Sequence, residues 1–355
     1  MVTKQILSSR LIGLLLAFSF LGFLFFTVLL SANAQEDSGR LDLTVSPPVI
    51  ELTAKPGETI TQSFRVRNNL TNPVDLQIST RRLTSDPQNG SPIPEEGAEG
   101  EELSWVSFDK PEFTARPLEW EDIKFTIAIP ESAAYGYYYV FRITPKDTQK
   151  AESTGSLVKG ELLVVTLLNV KKDGANSKTE LVSFGAKNFI TEYLPATFNV
   201  KLANKGNIHV KPRGNIFITR GGGKEIAILE VNQGVGSILP GGTREFESQW
   251  EDGFLVNEPV IENDQVKLDG NGKVVTKLKI NWNKLTEFRI GPYEAKLLVV
   301  YDDGQKDVVL EGSSTFWVLP YKIIGGILIG LIVLFFVAKF LLRWYVRQQV
   351  SKSRR

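Results

Sequence analysis

The stretch Thr59-Ile60-Thr61-Gln62-Ser63-Phe64-Arg65-Val66-Arg67-Asn68 decides the fold. Ile60, Phe64 and Val66 fall on one side of an alternating pattern, and polar side chains occupy the other side. A period of two residues is typical of a β-strand that buries one face. This stretch therefore predicts a strand on the surface of a β-rich core.

Further strands follow the same rule on both sides of this stretch. Alternation continues in 74–80 and 122–130, and the nearly continuous apolar run 161–170 predicts a strand buried on both faces. The pattern restarts after the polar linker 171–178 and ends in a hairpin around Asp303-Gly304. Regular strands without intervening helices predict an all-β chain of two tandem immunoglobulin-like β-sandwich domains and one C-terminal transmembrane helix. The predicted segments are a signal peptide (1–34), a first sandwich (35–172), a second sandwich (173–320), a transmembrane helix (321–342) and a basic cytoplasmic tail (343–355).

Composition removes several classes of function. The 355 residues include no Cys and a single His, His209. Thiol catalysis, Cys-based zinc sites and paired-His metal sites are therefore excluded, and we expect no cofactor, no metal site and no enzymatic activity. Residues 35–320 carry a net charge of −8 between basic ends of +2 and +7. An acidic body argues against nucleic-acid binding.

The N-terminal segment has the features of an export signal. An uncharged apolar run from Leu11 to Leu30 follows Lys4 and Arg10, and the small residues before Gln35 predict cleavage between Ala34 and Gln35. The run is longer than a usual signal core, so an uncleaved membrane anchor is the alternative.

The C-terminal segment has the features of a membrane span. The 22 residues of 321–342 reach roughly 33 Å as a helix, which suffices to cross a bilayer. The short basic tail 343–355 predicts a cytoplasmic C-terminus and a body outside the cell membrane. Gly326 and Gly330 form a small-residue pattern that is typical of helices that self-associate.

Two acid-rich stretches interrupt the strand rhythm. Residues 84–104 and 250–275 predict solvated loops, with calcium binding as the alternative. Neither stretch has the spacing of a known calcium loop.

The aromatic run from Tyr135 to Phe141 is the most distinctive candidate ligand contact. Alternation places Tyr137 and Tyr139 on one face of a strand and Tyr138 on the other. One set is expected to join the core, and the other is a candidate for stacking on sugars or on a partner.

Turn and strand motifs across most of the chain resemble WxL-interacting cell-surface proteins. The motifs are Ser46–Leu52, Lys55–Thr59, Val66–Asn69, Trp105-Val106, Pro130-Glu131, Asn204–Gly214, Leu239–Arg244 and Thr315–Pro320. The resemblance implies two Ig-like domains, the first binding peptidoglycan and the second binding a host or partner protein. It implies no catalytic residues.

The sequence thus supports a non-enzymatic, membrane-anchored surface protein. Its expected partners are a cell-wall glycan, another surface protein, or both, and the membrane itself. The alternative is a membrane-tethered, chaperone-like assembly factor that donates or accepts a strand of an exported protein.

Overall fold

The computed structural model describes residues 41–86, 89–97, 99–146, 160–221, 223–262, 265–270 and 273–352, with side chains up to residue 344. Strands dominate these residues, and one long helix ends them. The expected signal peptide 1–34 and its cleavage site at Ala34 and Gln35 lie outside the described residues.

The described elements are strands, two short 3₁₀ helices and one α-helix. In chain order, the strands are β1 (Leu43–Ser46), β2 (Val49–Ala54), β3 (Thr59–Asn68), β4 (Val74–Ser85), β5 (Pro92–Pro94), β6 (Val106–Phe108), β7 (Glu112–Ala115), β8 (Trp120–Ala128), β9 (Tyr135–Pro145), β10 (Leu162–Val170), β11 (Thr179–Ala186), β12 (Ile190–Thr191), β13 (Ala196–Asn204), β14 (Arg213–Arg220), β15 (Lys224–Val231), β16 (Thr243–Trp250), β17 (Leu255–Pro259), β18 (Ile261–Glu262), β19 (Gln265–Val266), β20 (Thr276–Ile280), β21 (Gly291–Asp302) and β22 (Asp307–Val318). The 3₁₀ helices span Glu101–Trp105 and Trp282–Lys284, and α1 spans Tyr321–Lys352.

The first half of the described chain is a β-sandwich. A sheet of order β1-β3-β8-β6 faces a sheet of order β2-β10-β9-β4, with β5 and β7 joined to β4. Phe64, Phe125 and Phe141 are buried between the sheets, and the rings of Phe125 and Phe141 meet edge to face at 4.9 Å. Burial of such rings supplies most of the driving force for this packing.

The alternating and continuous apolar patterns behave as predicted. β3 spans the ten residues of the opening stretch, and Phe64 and Val66 are buried in the core. In β10, Leu168 faces that core, while Leu167 faces a separate cluster on the outer side of the sheet. The prediction that β10 is buried on both faces is confirmed.

The second half repeats this arrangement. A sheet of order β11-β13-β16 faces a sheet of order β12-β22-β21-β14-β15. Trp250 is fully buried between them, with its ring 5.0 Å from that of Tyr293 and 6.1 Å from that of Phe316. The chain is therefore mostly β-sheet with an immunoglobulin-like sandwich fold, as predicted. The division into two domains at residue 172 stays a prediction.

The first strand of each half changes sheet partway. β1 pairs with β3, and after Pro47 and Pro48 the chain continues as β2, which runs parallel to β10 in the facing sheet. Proline ends a ladder because it has no N–H to donate. In the second half β11 pairs with β13, and β12 then runs parallel to β22.

The two acid-rich stretches are more ordered than the sequence predicted. Among the described residues of 84–104, Glu95 and Glu102 form ion pairs with Arg82, and Glu102 accepts a 2.8 Å hydrogen bond from Arg82 Nε. Paired carboxylates hold this stretch against the sheet, so the expectation of a solvated loop was wrong. The stretch 250–275 was also expected to be a loop, yet it contains β17, β18 and β19.

The C-terminal helix is longer than predicted. The sequence assigned residues 343–355 to a tail, but α1 continues to Lys352 because no Gly or Pro interrupts it after Leu342. Residues Tyr321–Trp344 are long and apolar enough to cross a membrane.

Two isoleucines on neighbouring strands test the assignment of the second core. Ile216 on β14 is fully buried, whereas Ile228 on β15 is 53% exposed. Ile216→Ala should lower the free energy of unfolding by about 2–5 kcal/mol because it leaves a cavity, and Ile228→Ala by less than about 0.5 kcal/mol. Urea unfolding of the full chain in detergent measures both. An equal decrease in the free energy of unfolding for the two variants would contradict the described core.

Candidate functional site: an open sheet edge and a junction cavity

The outer edge of β22 is largely unpaired in the described part of the chain. On its inner side, β22 pairs with β21 over all twelve residues from Asp307 to Val318. On its outer side, it pairs with β12 only at Trp317 and Val318. The ten residues from Asp307 to Phe316 therefore present an edge without a described neighbouring strand.

The first sandwich covers the corresponding edge. There β2 runs along β10 through six residue pairs, from Val49–Val165 to Ala54–Val170. The equivalent covering strand of the second sandwich, β12, has two residues. The two sandwiches are similar in arrangement, and the open edge of β22 is a feature in which the second sandwich differs from the first.

Backbone directions on β22 follow from its contacts with β12. The N–H of Trp317 donates to the carbonyl of Phe189 at 2.8 Å, and the N–H of Leu319 donates to the carbonyl of Thr191 at 2.8 Å. Because backbone groups alternate in direction along a strand, the N–H groups of residues 309, 311, 313 and 315 point to the same outer side. These groups are available to an added strand.

β22 lacks two common protective features of edge strands, lysine and proline, although Asp307 and Glu311 carry charge. Its sequence Asp-Val-Val-Leu-Glu-Gly-Ser-Ser-Thr-Phe-Trp-Val contains no Lys and no Pro. Lysine, proline and bulges are among the features that normally prevent an edge from pairing with another chain. Here small residues occupy the centre, and Val309, 49% exposed, adds an apolar contact beside them. The edge is suited to accept a strand.

The facing sheet supports this edge without pairing to it. A Cβ added at Gly312 would lie 3.1 Å from Leu181 and 3.2 Å from Phe184, both on β11. Side chains of β11 therefore close the sandwich beneath β22, and no backbone hydrogen bond joins the described residues of the two strands. Replacing Gly312 by a larger residue would disturb this close approach.

The three candidate tyrosines occupy different environments. Tyr139 is fully buried in the first core, and Tyr137 packs against Trp105 with ring centroids 4.7 Å apart. The Tyr137 hydroxyl also accepts a 3.2 Å hydrogen bond from the N–H of Ala134. Tyr138 points to the opposite side of the sheet and packs beside the outer cluster. A ligand-binding role for these residues stays a prediction, and Tyr138 is the one that leaves the first core.

Tyr138 meets the only histidine of the chain where the two sandwiches touch. The rings of Tyr138 and His209 lie edge to face at 5.6 Å. Nearby, Leu239 of the second half joins Val140 and Leu167 of the first half in one buried cluster. Burial lowers the pKa of His209, with a smaller opposing effect of Glu51, which forms an ion pair with Lys211.

A cavity of about 790 Å³ opens beside this contact. Its lining includes Asn169, His209, Arg213, Asn215 and Asp307. Asn169 Oδ1 and His209 Nδ1 are both buried without a hydrogen-bond partner in the described chain. Buried polar atoms normally have partners, so these two are incompletely paired polar groups in the residues around the cavity.

The described residues contain no group of three or more His, Asp or Glu side chains arranged to hold a metal ion. Calcium binding by the acid-rich stretches therefore gains no support from the described parts of 84–104 and 250–275.

The lone histidine allows a direct test of the junction. Because burial favours the neutral ring, His209 should titrate below its ordinary pKa of about 6.5. The free energy of unfolding should therefore be unaffected by protonation of His209 above about pH 6.5 and should decrease as the pH falls below about 6.5. The reason is that the unfolded chain takes up a proton at this ring more readily than the folded chain does. NMR of ring-labelled histidine gives the pKa without assignment. In urea unfolding, the free energy of unfolding of His209→Asn should depend less on pH between 7 and 5 than that of the unsubstituted chain. A pKa of His209 above 6.5 in the folded chain would contradict this environment.

Comparisons with known proteins give only distant structural likenesses. No family model matches the chain. No curated protein matches it either. Among solved structures, it is similar to the CupB2 chaperone of Pseudomonas aeruginosa, at 12% identity and a TM-score of 0.33, covering 76% of this chain and 98% of that one. The class 5 fimbriae chaperone CfaA gives 9% identity and a TM-score of 0.34, and the match covers 76% of this chain and 98% of that one. The CsuC–CsuE chaperone–tip adhesion subunit complex of Acinetobacter baumannii gives 10% identity and a TM-score of 0.34, and the match covers 76% of this chain and 97% of that one. With TM-scores below 0.5, these likenesses establish neither a family nor a function for the chain.

Proposed function

We propose that this protein is a single-pass membrane protein that binds another exported protein by strand addition, as a membrane-tethered assembly factor does. The observation that carries the proposal is the unpaired outer edge of β22 from Asp307 to Phe316. In strand addition, backbone hydrogen bonds supply affinity, and alternate side chains supply specificity.

The length of the edge favours this mode of binding. Its ten residues equal the span of β3 and exceed the usual strand of five or six residues. An added strand would reach the outward N–H groups of residues 309, 311, 313 and 315. It would also cover the exposed side of Val309.

The membrane helix supports a surface location for the binding edge. Only Leu319 and Pro320 separate β22 from α1, so the edge is joined to the membrane by a two-residue connection. By the positive-inside rule, the basic residues after Leu342 support a cytoplasmic C-terminus and a body, 35–320, on the outer side. Self-association through Gly326 and Gly330 remains a secondary proposal.

The proposal describes a binding protein and not an enzyme. His209, the only histidine, is half-buried at a contact between sandwiches, where it packs on Tyr138. The resemblance to WxL-interacting proteins is compatible with a two-domain surface protein that binds a protein partner, and we retain that family as part of the proposal.

A proline on the outward side of β22 tests the binding edge. Ser313→Pro removes one outward N–H and should leave the ladder to β21 intact, whereas Ser313→Ala keeps the N–H and serves as the matched control. A photoreactive residue at Thr315 should crosslink an exported protein in intact cells. We expect Ser313→Pro to reduce this adduct at least tenfold and Ser313→Ala to leave it unchanged.

Two outcomes would contradict strand addition at β22. Either no adduct forms at Thr315, or the adduct forms equally in the proline variant. Pulse-labelling of new proteins, followed by crosslinking at successive chase times, separates the two kinds of partner. A client of an assembly factor leaves with time, whereas a permanent surface partner stays bound.

The cavity at the junction favours a second candidate function, binding of a cell-wall glycan. Sugars offer hydroxyl groups that could pair with polar side chains lining the cavity, among them Asn169, Arg213 and Asn215. A pocket of this volume is within the range of sites for small ligands.

Retention of the detergent-solubilised full chain on isolated cell walls tests the glycan candidate. Asn169→Ala should weaken retention roughly tenfold, because one hydrogen bond to the sugar is lost and a buried partner is left unpaired. Asn257→Ala, on β17 outside the cavity, is the control. Retention that is absent, or that responds equally to both substitutions, would remove this candidate.

A further inference from the structure

An insertion between β16 and β21 carries an unusual amount of exposed apolar surface. Within it, β17 and β20 form a two-stranded hairpin that pairs Leu255 with Ile280 and Asn257 with Leu278. Since residues two apart share a face, Leu278 and Ile280 lie on the same side of β20. Both are exposed, although Val256 on the opposite side of β17 is buried in the second core.

The apolar surface continues beyond β20. Trp282 is 71% exposed, Leu285 is 59% exposed and Phe288 is also exposed. The rings of Trp282 and Phe288 both pack on Phe254, at 5.7 and 5.5 Å between centroids. We call Leu278, Ile280, Trp282, Leu285 and Phe288 the apolar cluster. Surface of this kind usually marks a site of association with a protein or a membrane.

The apolar cluster lies beside the start of the membrane helix. Leu255, which pairs with Ile280, lines one small cavity together with Phe288, Val318 and Pro320. Pro320 immediately precedes α1. The cluster is therefore continuous with the segment that leads into the span.

A second segment beside the helix start is also apolar and tied to the body. Phe189 and Ile190 are exposed, and the carbonyl of Phe189 accepts a hydrogen bond from Trp317. Lys322, at the first turn of α1, forms a 2.7 Å ion pair with Glu192. These contacts fix the body relative to the beginning of α1.

The insertion has almost no net charge. Residues 251–290 contain seven acidic and six basic side chains. Lys279 forms a 2.5 Å ion pair with Glu258, and Lys284 forms an ion pair with Asp252. Attraction to anionic headgroups is therefore a minor effect, and the apolar side chains determine what binds at this surface.

We propose that the apolar cluster inserts into the interfacial layer of the bilayer that α1 spans, as a second, peripheral membrane contact. The inference rests on the proposed membrane span. Lipid is the occupant because the cluster adjoins the residues that enter the bilayer, and because tryptophan favours the interface between headgroups and acyl chains. With the helix and the cluster both attached, the body cannot rotate freely about α1, and the outer edge of β22 keeps one orientation to the membrane.

Single-cysteine labelling tests the proposal, because the chain has no native Cys. Four full-length variants are each labelled with an environment-sensitive fluorophore in phosphatidylcholine nanodiscs: Trp282→Cys, Leu285→Cys, Ile329→Cys in α1, and Leu118→Cys on an exposed turn of the first sandwich. Brominated acyl chains then quench labels that contact lipid. We expect at least twofold quenching at 282, 285 and 329, and none at 118. Added anionic lipid should change the result little.

The four labels separate failure of this inference from failure of the membrane span. Quenching at 329 without quenching at 282 and 285 would overturn the inference and leave the span intact. No quenching at 329 would overturn the span itself, and the inference with it. If the labels at 282 and 285 respond only to protein concentration, a second copy covers the cluster and lipid does not. Circular dichroism matching that of the unsubstituted chain is required of each variant, and the two labels in the insertion guard against local disruption at Trp282.

Discussion

The ladder between β21 and β22 is the interaction on which the rest of the structure depends. Its twelve residue pairs form the longest ladder in the second sandwich and bury Phe316 against Trp250 and Tyr293. The same ladder fixes which N–H groups of β22 point outward, and it ends two residues before α1. A single strand thereby belongs to the core, to the proposed binding edge and to the membrane connection.

The two sandwiches show how a small change in one connection alters what a sheet can do. Both begin with a strand that changes sheet, but the covering strand contributes six residue pairs in the first half and two in the second. Each uncovered residue pair leaves backbone groups that water satisfies in the free protein and that a partner strand could satisfy in a complex. The shortness of β12, and not a change in the core, leaves β22 open.

Much of the fold could be predicted from the sequence, because apolar and polar residues alternate along a strand that buries one face. The opening stretch matches β3 residue for residue, and the apolar run at 161–170 matches β10 to within one residue. The candidate edge was missed because Gly312-Ser313-Ser314 interrupts the alternation in β22, so the sequence predicted only the hairpin around Asp303-Gly304 in this region. Pairing with β21 extends the strand through this weak segment. The acid-rich stretch after β4 was misjudged because its chain turns back and brings Glu95 and Glu102 to Arg82 on β4. Ion pairs of this kind cannot be predicted from the pattern of neighbouring residues, because they depend on the path of the folded chain.

The position of the edge limits what can bind to it. At roughly 3.3 Å per strand residue, the outward N–H groups from residue 315 to residue 309 lie between about 20 and 40 Å from the start of α1, measured along the chain. A partner of the proposed binding edge must therefore present an unpaired strand close to the membrane. Apolar contact of the cluster with the same bilayer would restrict the edge further, since a tether at two points allows less rotation than a helix alone. The acidic body adds little attraction to anionic wall polymers, so such a partner is better recognised through backbone pairing and shape than through charge.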